Sequence, residues 1–228
     1  MTLRMESIEL SLAGRQILPP TSLIVPAGHI MGLTAPSGAG KTSLLSIASL
    51  LQRPDAGCII IDGIPIAAEL ATSKIPVAVR RNIGMLPQNP RNFSDPRLTL
   101  AETITAPLAF RDGKSRPVPQ RYQDQLLRLT DQVQLSKTLL GRFPSQVSDG
   151  QLQRALMARA LSLDPKLILC DEPTSALDPT TTNAILSVLR TKAAEGAAVL
   201  IASHDRNSLT RYCDVVLPLA DLHQASIC

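Results

Sequence analysis

Aromatic residues are scarce in this sequence: they make up 2% of it, and Trp is absent. Surfaces that stack nucleic-acid bases are built from such rings, so no nucleic-acid partner is expected. Long apolar runs are missing too. The run at residues 197–202 stops at Ser203, well short of the ~18 residues that suggest a membrane span. Glu6 and Glu9 argue against a secretory signal at the start, and the expected compartment is the cytosol. The four cysteines, Cys58, Cys170, Cys213 and Cys228, are scattered with no C-x-x-C pair. That spacing suggests neither a zinc site nor a disulfide framework and leaves free thiols as the expectation. Neither charge sign dominates: 23 Lys+Arg against 19 Asp+Glu gives a net charge of +4, which reads as a solvated surface.

The 228 residues suffice for one large α/β domain or two small ones with a sizeable core. Short apolar runs alternate with helical stretches, the pattern of a parallel sheet with helices on its faces. Residues 30–33 read as a buried strand, 34–40 as a glycine-bearing loop and 42–51 as an amphipathic helix. Residues 58–61 and 64–66 flank Asp62-Gly63, which predicts an antiparallel hairpin beside the parallel sheet. Strands are also expected at 167–170 and 198–203, with a helix at 182–195 stopped by Gly196. Residues 1–88 and 155–228 thus form an expected α/β core. Between them, at about 89–154, prolines interrupt helical segments at 98–110 and 121–135, which predicts an inserted helical subdomain. Residues 111–120 are polar and proline-bearing, as exposed loops are.

Ala35-Pro36-Ser37-Gly38-Ala39-Gly40-Lys41-Thr42 is the strongest local signal. Backbone N–H groups of such a loop cradle phosphate oxygens at a helix N-terminus, Lys41 adds charge, and the Thr42 hydroxyl suits Mg²⁺. Ala35 stands where the strict pattern has glycine. Downstream, an apolar strand ends in Asp171-Glu172, delivering two carboxylates to the strand end where doubly wound sheets bind ligands. Asp171 is placed to hold Mg²⁺, and Glu172 to polarise an attacking water.

With Gln88, Val147-Ser148-Asp149-Gly150-Gln151, Ser175-Ala176-Leu177-Asp178 and His204 following in order, the sequence resembles the ATP-binding-cassette (ABC) transporter ATPases over nearly its whole length. That resemblance implies a P-loop NTPase (RecA-like) core with a small antiparallel β subdomain and an α-helical subdomain. It implies ATP and Mg²⁺ as cofactors. It extends the phosphate loop to Ser43, gives Gln88 a Mg²⁺-sensing and permease-facing role, and makes His204 the γ-phosphate switch. It assigns Ser148, Gly150 and Gln151 to the ATP of an opposite subunit and adds Asp178 to the nucleotide site. The implied partners are a second ABC ATPase subunit, identical or paralogous, and integral membrane permease subunits, with the chain peripheral on the cytoplasmic face of the membrane. Residues 87–91, 95–99 and 107–108 resemble the peptide and nickel import branch.

Three departures stand out. Besides Ala35, Asp149 replaces the family's usual glycine; an anion beside a terminal phosphate costs ~4 kcal/mol at ~4 Å for an effective dielectric of ~20, so an outward side chain is expected. The family's adenine-stacking aromatic is also missing, because no Phe, Tyr or Trp precedes Phe93 and Leu12-Ala13 occupies the place. Stacking contributes ~1–3 kcal/mol per base, so weaker ATP binding is expected. A regulatory cassette with little turnover is the alternative reading, disfavoured by Glu172 and His204. A soluble cassette acting on DNA or ribosomes is a further one, disfavoured by the lack of coiled coils or a second cassette.

Overall fold

The computed structural model describes residues 2–67, 75–174 and 177–223. They fall into two compact units. The first comprises the chain up to Met85, Lys166–Glu172 and the chain from Leu189 onward; the second comprises Leu86–Pro165 and Pro173–Val188. The boundary expected near residue 154 falls inside a helix, Asp149–Leu161, that lies whole within the second unit.

Two sheets organise the first unit. One is antiparallel, in the order β2-β1-β4-β5, from β1 (Leu3–Leu12), β2 (Arg15–Val25), β4 (Ala56–Ile61) and β5 (Ile64–Ala67). The expected hairpin is its β4–β5 pair, with Ile61 opposite Ile64. Asp62 and Gly63 take φ of 54° and 78°, the positive pair that a two-residue hairpin of matching twist requires. Pro19 and Pro20 lie in β2, which is tolerated because β2 is an edge strand with one unpaired side.

The second sheet has the order β6-β7-β8-β3-β9, from β3 (Ile30–Thr34), β6 (Ile83–Leu86), β7 (Leu167–Asp171), β8 (Ala198–Ser203) and β9 (Val215–Pro218). Strand β3 is parallel to β8 and β9, and β7 is parallel to β8. Every residue of β7 and β8 is buried, as strands covered on both faces are. Leu33, Leu44, Leu45, Ile47, Leu169 and Leu200 pack with residues of the antiparallel sheet in one core. Helix α1 (Lys41–Ala48) follows β3 directly. It ends sooner than its apolar pattern suggests, because Leu50 turns to φ 63°.

The other helices are α2 (Val77–Arg81), α3 (Leu100–Arg111), α4 (Gln123–Gln132), α5 (Asp149–Leu161), α6 (Pro179–Ala194) and α7 (Arg206–Tyr212). Helices α3, α4 and α5 belong to the second unit. Thr99 starts α3 with a capping box: its hydroxyl accepts from the Glu102 N–H while the Glu102 carboxylate accepts from the Thr99 N–H. Cys58, Cys170 and Cys213 are free thiols.

Candidate phosphate and nucleotide site

The loop from Ala35 to Gly40 joins β3 to α1. Gly40 has φ 98°, and an added Cβ would lie 2.8 Å from Leu18 Cδ2 and 3.1 Å from the Ile17 carbonyl. Only glycine fits both constraints. Ala35 is not among the described residues of positive φ, so the backbone there accepts alanine where the family motif has glycine. Gly40 gives α1 no side-chain cap and its first turn holds no acidic residue. The helix therefore supplies no acceptor of its own for its first N–H groups, which leaves them available to an external anion.

Lys41 is buried, and its ammonium reaches back across the loop. It donates to the carbonyls of Ala35 at 2.7 Å and Pro36 at 3.2 Å and lies 3.7 Å from Glu172 Oε1. The next residue, Thr42, donates its hydroxyl to Asp171 Oδ2 at 2.6 Å. Asp171 is 3% exposed, and its second oxygen, Oδ1, is buried with no hydrogen-bond partner. Burial pushes this carboxyl above its ordinary range; the Thr42 hydrogen bond opposes the rise, the Glu172 charge adds to it and Lys41 opposes it. A buried carboxylate with one empty lone-pair face beside a hydroxyl is the donor set that a hard cation such as Mg²⁺ takes. The residues present therefore fit that ion.

Glu172 follows at φ 46°, a strained backbone for a residue of its kind. Its carboxylate accepts from the Ser203 hydroxyl at 3.0 Å and the His204 N–H at 2.9 Å, and His204 Nδ1 lies 2.9 Å from both oxygens. The ends of β7 and β8 therefore meet through this carboxylate. Ser203 is a partner of Glu172 that sequence reasoning missed, since nothing in its local sequence marks it. The loop borders a cavity of about 430 Å³ lined by Ala35, Pro36, Ala39, His204, Arg206 and His223. Ser37 and Gly38 are exposed on the loop, and Ser43 is half-buried on α1. Leu12, in the place given to an adenine-stacking ring, is 47% exposed. It stands at the tip of the β1–β2 hairpin, opposite Arg15.

In the second unit, Gln88 is exposed just beyond β6. With Asn89, Asn92, Asp149, Gln153 and Leu177 it lines a cavity of about 500 Å³. Ser148 is the N-cap of α5. Its hydroxyl accepts from the Gln151 N–H at 3.2 Å, and the Gln151 side chain accepts from the Ser148 N–H at 3.0 Å. Gly150 packs near Thr181 and Leu177. Asp149 does turn aside, into an ion pair with Arg91. Asp178 accepts from the Thr181 N–H and hydroxyl at 2.9 and 2.6 Å, bonds that hold its carboxyl below the ordinary range. Ser175 and Ala176, of the run that ends at Asp178, lie outside the described residues.

A glycine-bearing loop that follows an inner parallel strand, a lysine folded over it and a carboxylate that accepts from the adjoining hydroxyl define a P-loop NTPase fold. The ABC transporter family profile matches residues 18–175, and the chain belongs to that family. It is similar to the methionine import ATP-binding protein MetN of Haemophilus ducreyi, at 34% identity over 92% of this chain and 61% of that protein. The MetN of Caulobacter vibrioides is 37% identical over 90% of this chain and 60% of its own length. The chain thus spans less than two thirds of these curated relatives. Among solved structures, the ATP-binding cassette MJ0796 in a dimeric post-hydrolysis state bound to ADP and Pi matches with TM-score 0.83. That match has 27% identity and covers 95% of this chain and 93% of that one. A second dimeric structure of the MJ0796 cassette matches with TM-score 0.82 and 28% identity, over 95% of this chain and 94% of that one. The resemblance to peptide and nickel importers has no counterpart in the names of these relatives. No helix among the described residues is long and apolar enough to cross a membrane.

Proposed function

We propose that this chain is the ATP-binding and ATP-hydrolysing subunit of an ABC importer, using Mg²⁺. It acts as one of two cassettes, identical or paralogous, beneath a separate membrane permease at the cytoplasmic face of the membrane. The observation that carries the reading is the Thr42–Asp171 contact of 2.6 Å with Asp171 Oδ1 left unpartnered, next to the lysine-bearing loop. Mg²⁺, when bound, supplies positive charge against the phosphate oxygens.

The residues of the chain divide the work. Lys41 exchanges the carbonyls of Ala35 and Pro36 for phosphate oxygens, with the N–H groups of Ser37 to Gly40 and the hydroxyls of Thr42 and Ser43 beside it. Thr42 and Asp171 would hold Mg²⁺. Glu172 takes the proton of the attacking water, a role suited to a carboxylate already oriented by Ser203 and His204. His204, on the rim of the cavity, follows the terminal phosphate. Ser148, Gly150 and Gln151 serve the nucleotide of the opposite cassette, and Asp178 adjoins that site.

For the cargo, the similarity to MetN proteins favours methionine or a related amino acid over peptides or nickel. The test is Glu172→Gln, which keeps the shape of the side chain but removes its charge. The variant should bind ATP-Mg²⁺ as the parent does, lose hydrolysis and accumulate an ATP-dependent dimer on size-exclusion chromatography. Undiminished hydrolysis would overturn the assignment of Glu172. With permease and binding protein reconstituted, methionine but not a dipeptide or Ni²⁺ should stimulate the ATPase.

A further inference from the structure

The side chain at 149 is the chain's departure from its family in the turn that the proposed function gives to a partner's nucleotide, and the inference below rests on that reading. Arg91 Nη2 lies 2.7 Å from Asp149 Oδ1. The same guanidinium donates through Nη1 to the Pro144 carbonyl at 2.9 Å and through Nη2 to the Val147 carbonyl at 3.1 Å. Its three acceptors bracket Ser148, the residue whose hydroxyl caps α5. Arg91 is itself held by its own loop. Its N–H donates to Asn89 Oδ1 at 3.2 Å, and its carbonyl accepts from the Ser94 hydroxyl at 3.1 Å.

One turn further along α5, Gln153 is 2% exposed and donates to the Pro87 carbonyl at 3.2 Å. The segment 87–91 therefore grips α5 at two points.

An isolated ion pair with side chains 45% and 59% exposed contributes little to stability. Its effect on charge and position is another matter. A carboxylate at a helix N-terminus is favourable for the helix, yet it opposes a second anion arriving at the same end. A guanidinium that is planar and always charged can cancel that field while its rigid fork holds two carbonyls, whereas the three donors of a lysine ammonium rotate on a flexible stem.

We propose that Arg91 is a positioning residue for the Ser148–Gln151 turn and that Arg91 and Asp149 form a matched pair. Arg91 holds the Asp149 charge in an ion pair, so a turn that carries an anion can still receive the terminal phosphate of a nucleotide bound by the second cassette. Arg91 does not touch the reacting atoms. It acts through Asp149 and through the backbone on either side of Ser148.

The test compares the parent chain with Arg91→Gln, Arg91→Lys, Asp149→Asn and the double variant Arg91→Gln/Asp149→Asn. Three quantities are read: ATP-Mg²⁺ binding by the isolated monomer, the ATP concentration for half-maximal hydrolysis, and ATP-driven dimerisation. Arg91→Gln should raise that ATP concentration about tenfold at low salt, and the defect should shrink as added salt screens the unpaired carboxylate. Monomer binding should stay at the parent level, because the chain's own phosphate loop provides it. Asp149→Asn in the Arg91→Gln background should return the half-maximal concentration to within about threefold of the parent, since the repelling charge is gone. Arg91→Lys should recover part of the loss. A defect in Arg91→Gln that ignores salt and is not relieved by Asp149→Asn indicates a structural clamp alone and overturns the matched pair. Parent-like hydrolysis by Arg91→Gln overturns the inference and leaves the proposed function standing. A parent chain that binds no ATP overturns both.

Discussion

Thr42→Val removes one hydroxyl and little else, since valine has nearly the same shape and a similar helix propensity. The hydroxyl lost is the donor to Asp171 Oδ2 at 2.6 Å. A hydrogen bond to a charged group contributes ~1.5–3 kcal/mol. Thr42 itself is exposed, so water takes over part of its role. Asp171, 3% exposed with Oδ1 already unpartnered, has little other recourse. In the absence of Mg²⁺ and nucleotide, the loss of stability should be ~1.5–2 kcal/mol near neutral pH, the lower part of that range.

The pH dependence has a definite sign. The Asp171 carboxyl is raised, and the Thr42 hydrogen bond is the largest effect opposing the rise. A carboxyl that holds its proton more tightly in the folded state favours folding below its unfolded pKa of ~3.9. That advantage is lost as pH climbs toward the folded value. Without Thr42 the folded value rises further, because the hydrogen bond that favours the ionised carboxylate is gone. The difference between variant and parent should therefore be present near neutrality and should shrink as pH falls toward ~4 and Asp171 takes up its proton. Urea denaturation in EDTA at the two pH values measures it. An equal loss at both, or none near neutrality, refutes the account of Asp171 as a buried carboxylate held by Thr42.

Gly40→Ala places a Cβ 2.8 Å from Leu18 Cδ2 at a φ of 98° and should lower stability by ~1–3 kcal/mol, read as a fall in Tm. Lys41→Ala should abolish measurable ATP-Mg²⁺ binding in calorimetry; parent-like affinity would mean that the loop is not the phosphate site. Leu12→Tyr, at a position 47% exposed, should tighten ATP by ~1 kcal/mol through stacking and leave inorganic triphosphate unchanged. Position 13 is unsuited to that experiment, because Ala13 holds φ 50°.

By itself the sequence determined the local pieces whose cause is local. Asp62-Gly63 specifies its own hairpin, the apolar runs at 167–170 and 198–203 specify buried strands, and the glycine loop announces a phosphate site. The capping box that starts α5 is equally local in cause, since Ser148 and Gln151 stand three residues apart. Strands β1 and β2 were not foreseen. Pro19 and Pro20 disguise β2, and only its place at a sheet edge makes them harmless.

Tertiary structure alone decided which distant groups meet. Thr42 and Asp171 are 129 positions apart in the chain, and they touch because β3 and β7 each pair with β8. Ser203 and His204 reach Glu172 because β8 lies directly beside β7. Arg91 finds Asp149, 58 positions further along the chain, with no shared period between them. Composition and periodicity record which face of an element is buried; the order in which elements pair depends on the packing of the whole core, which no short window of sequence contains.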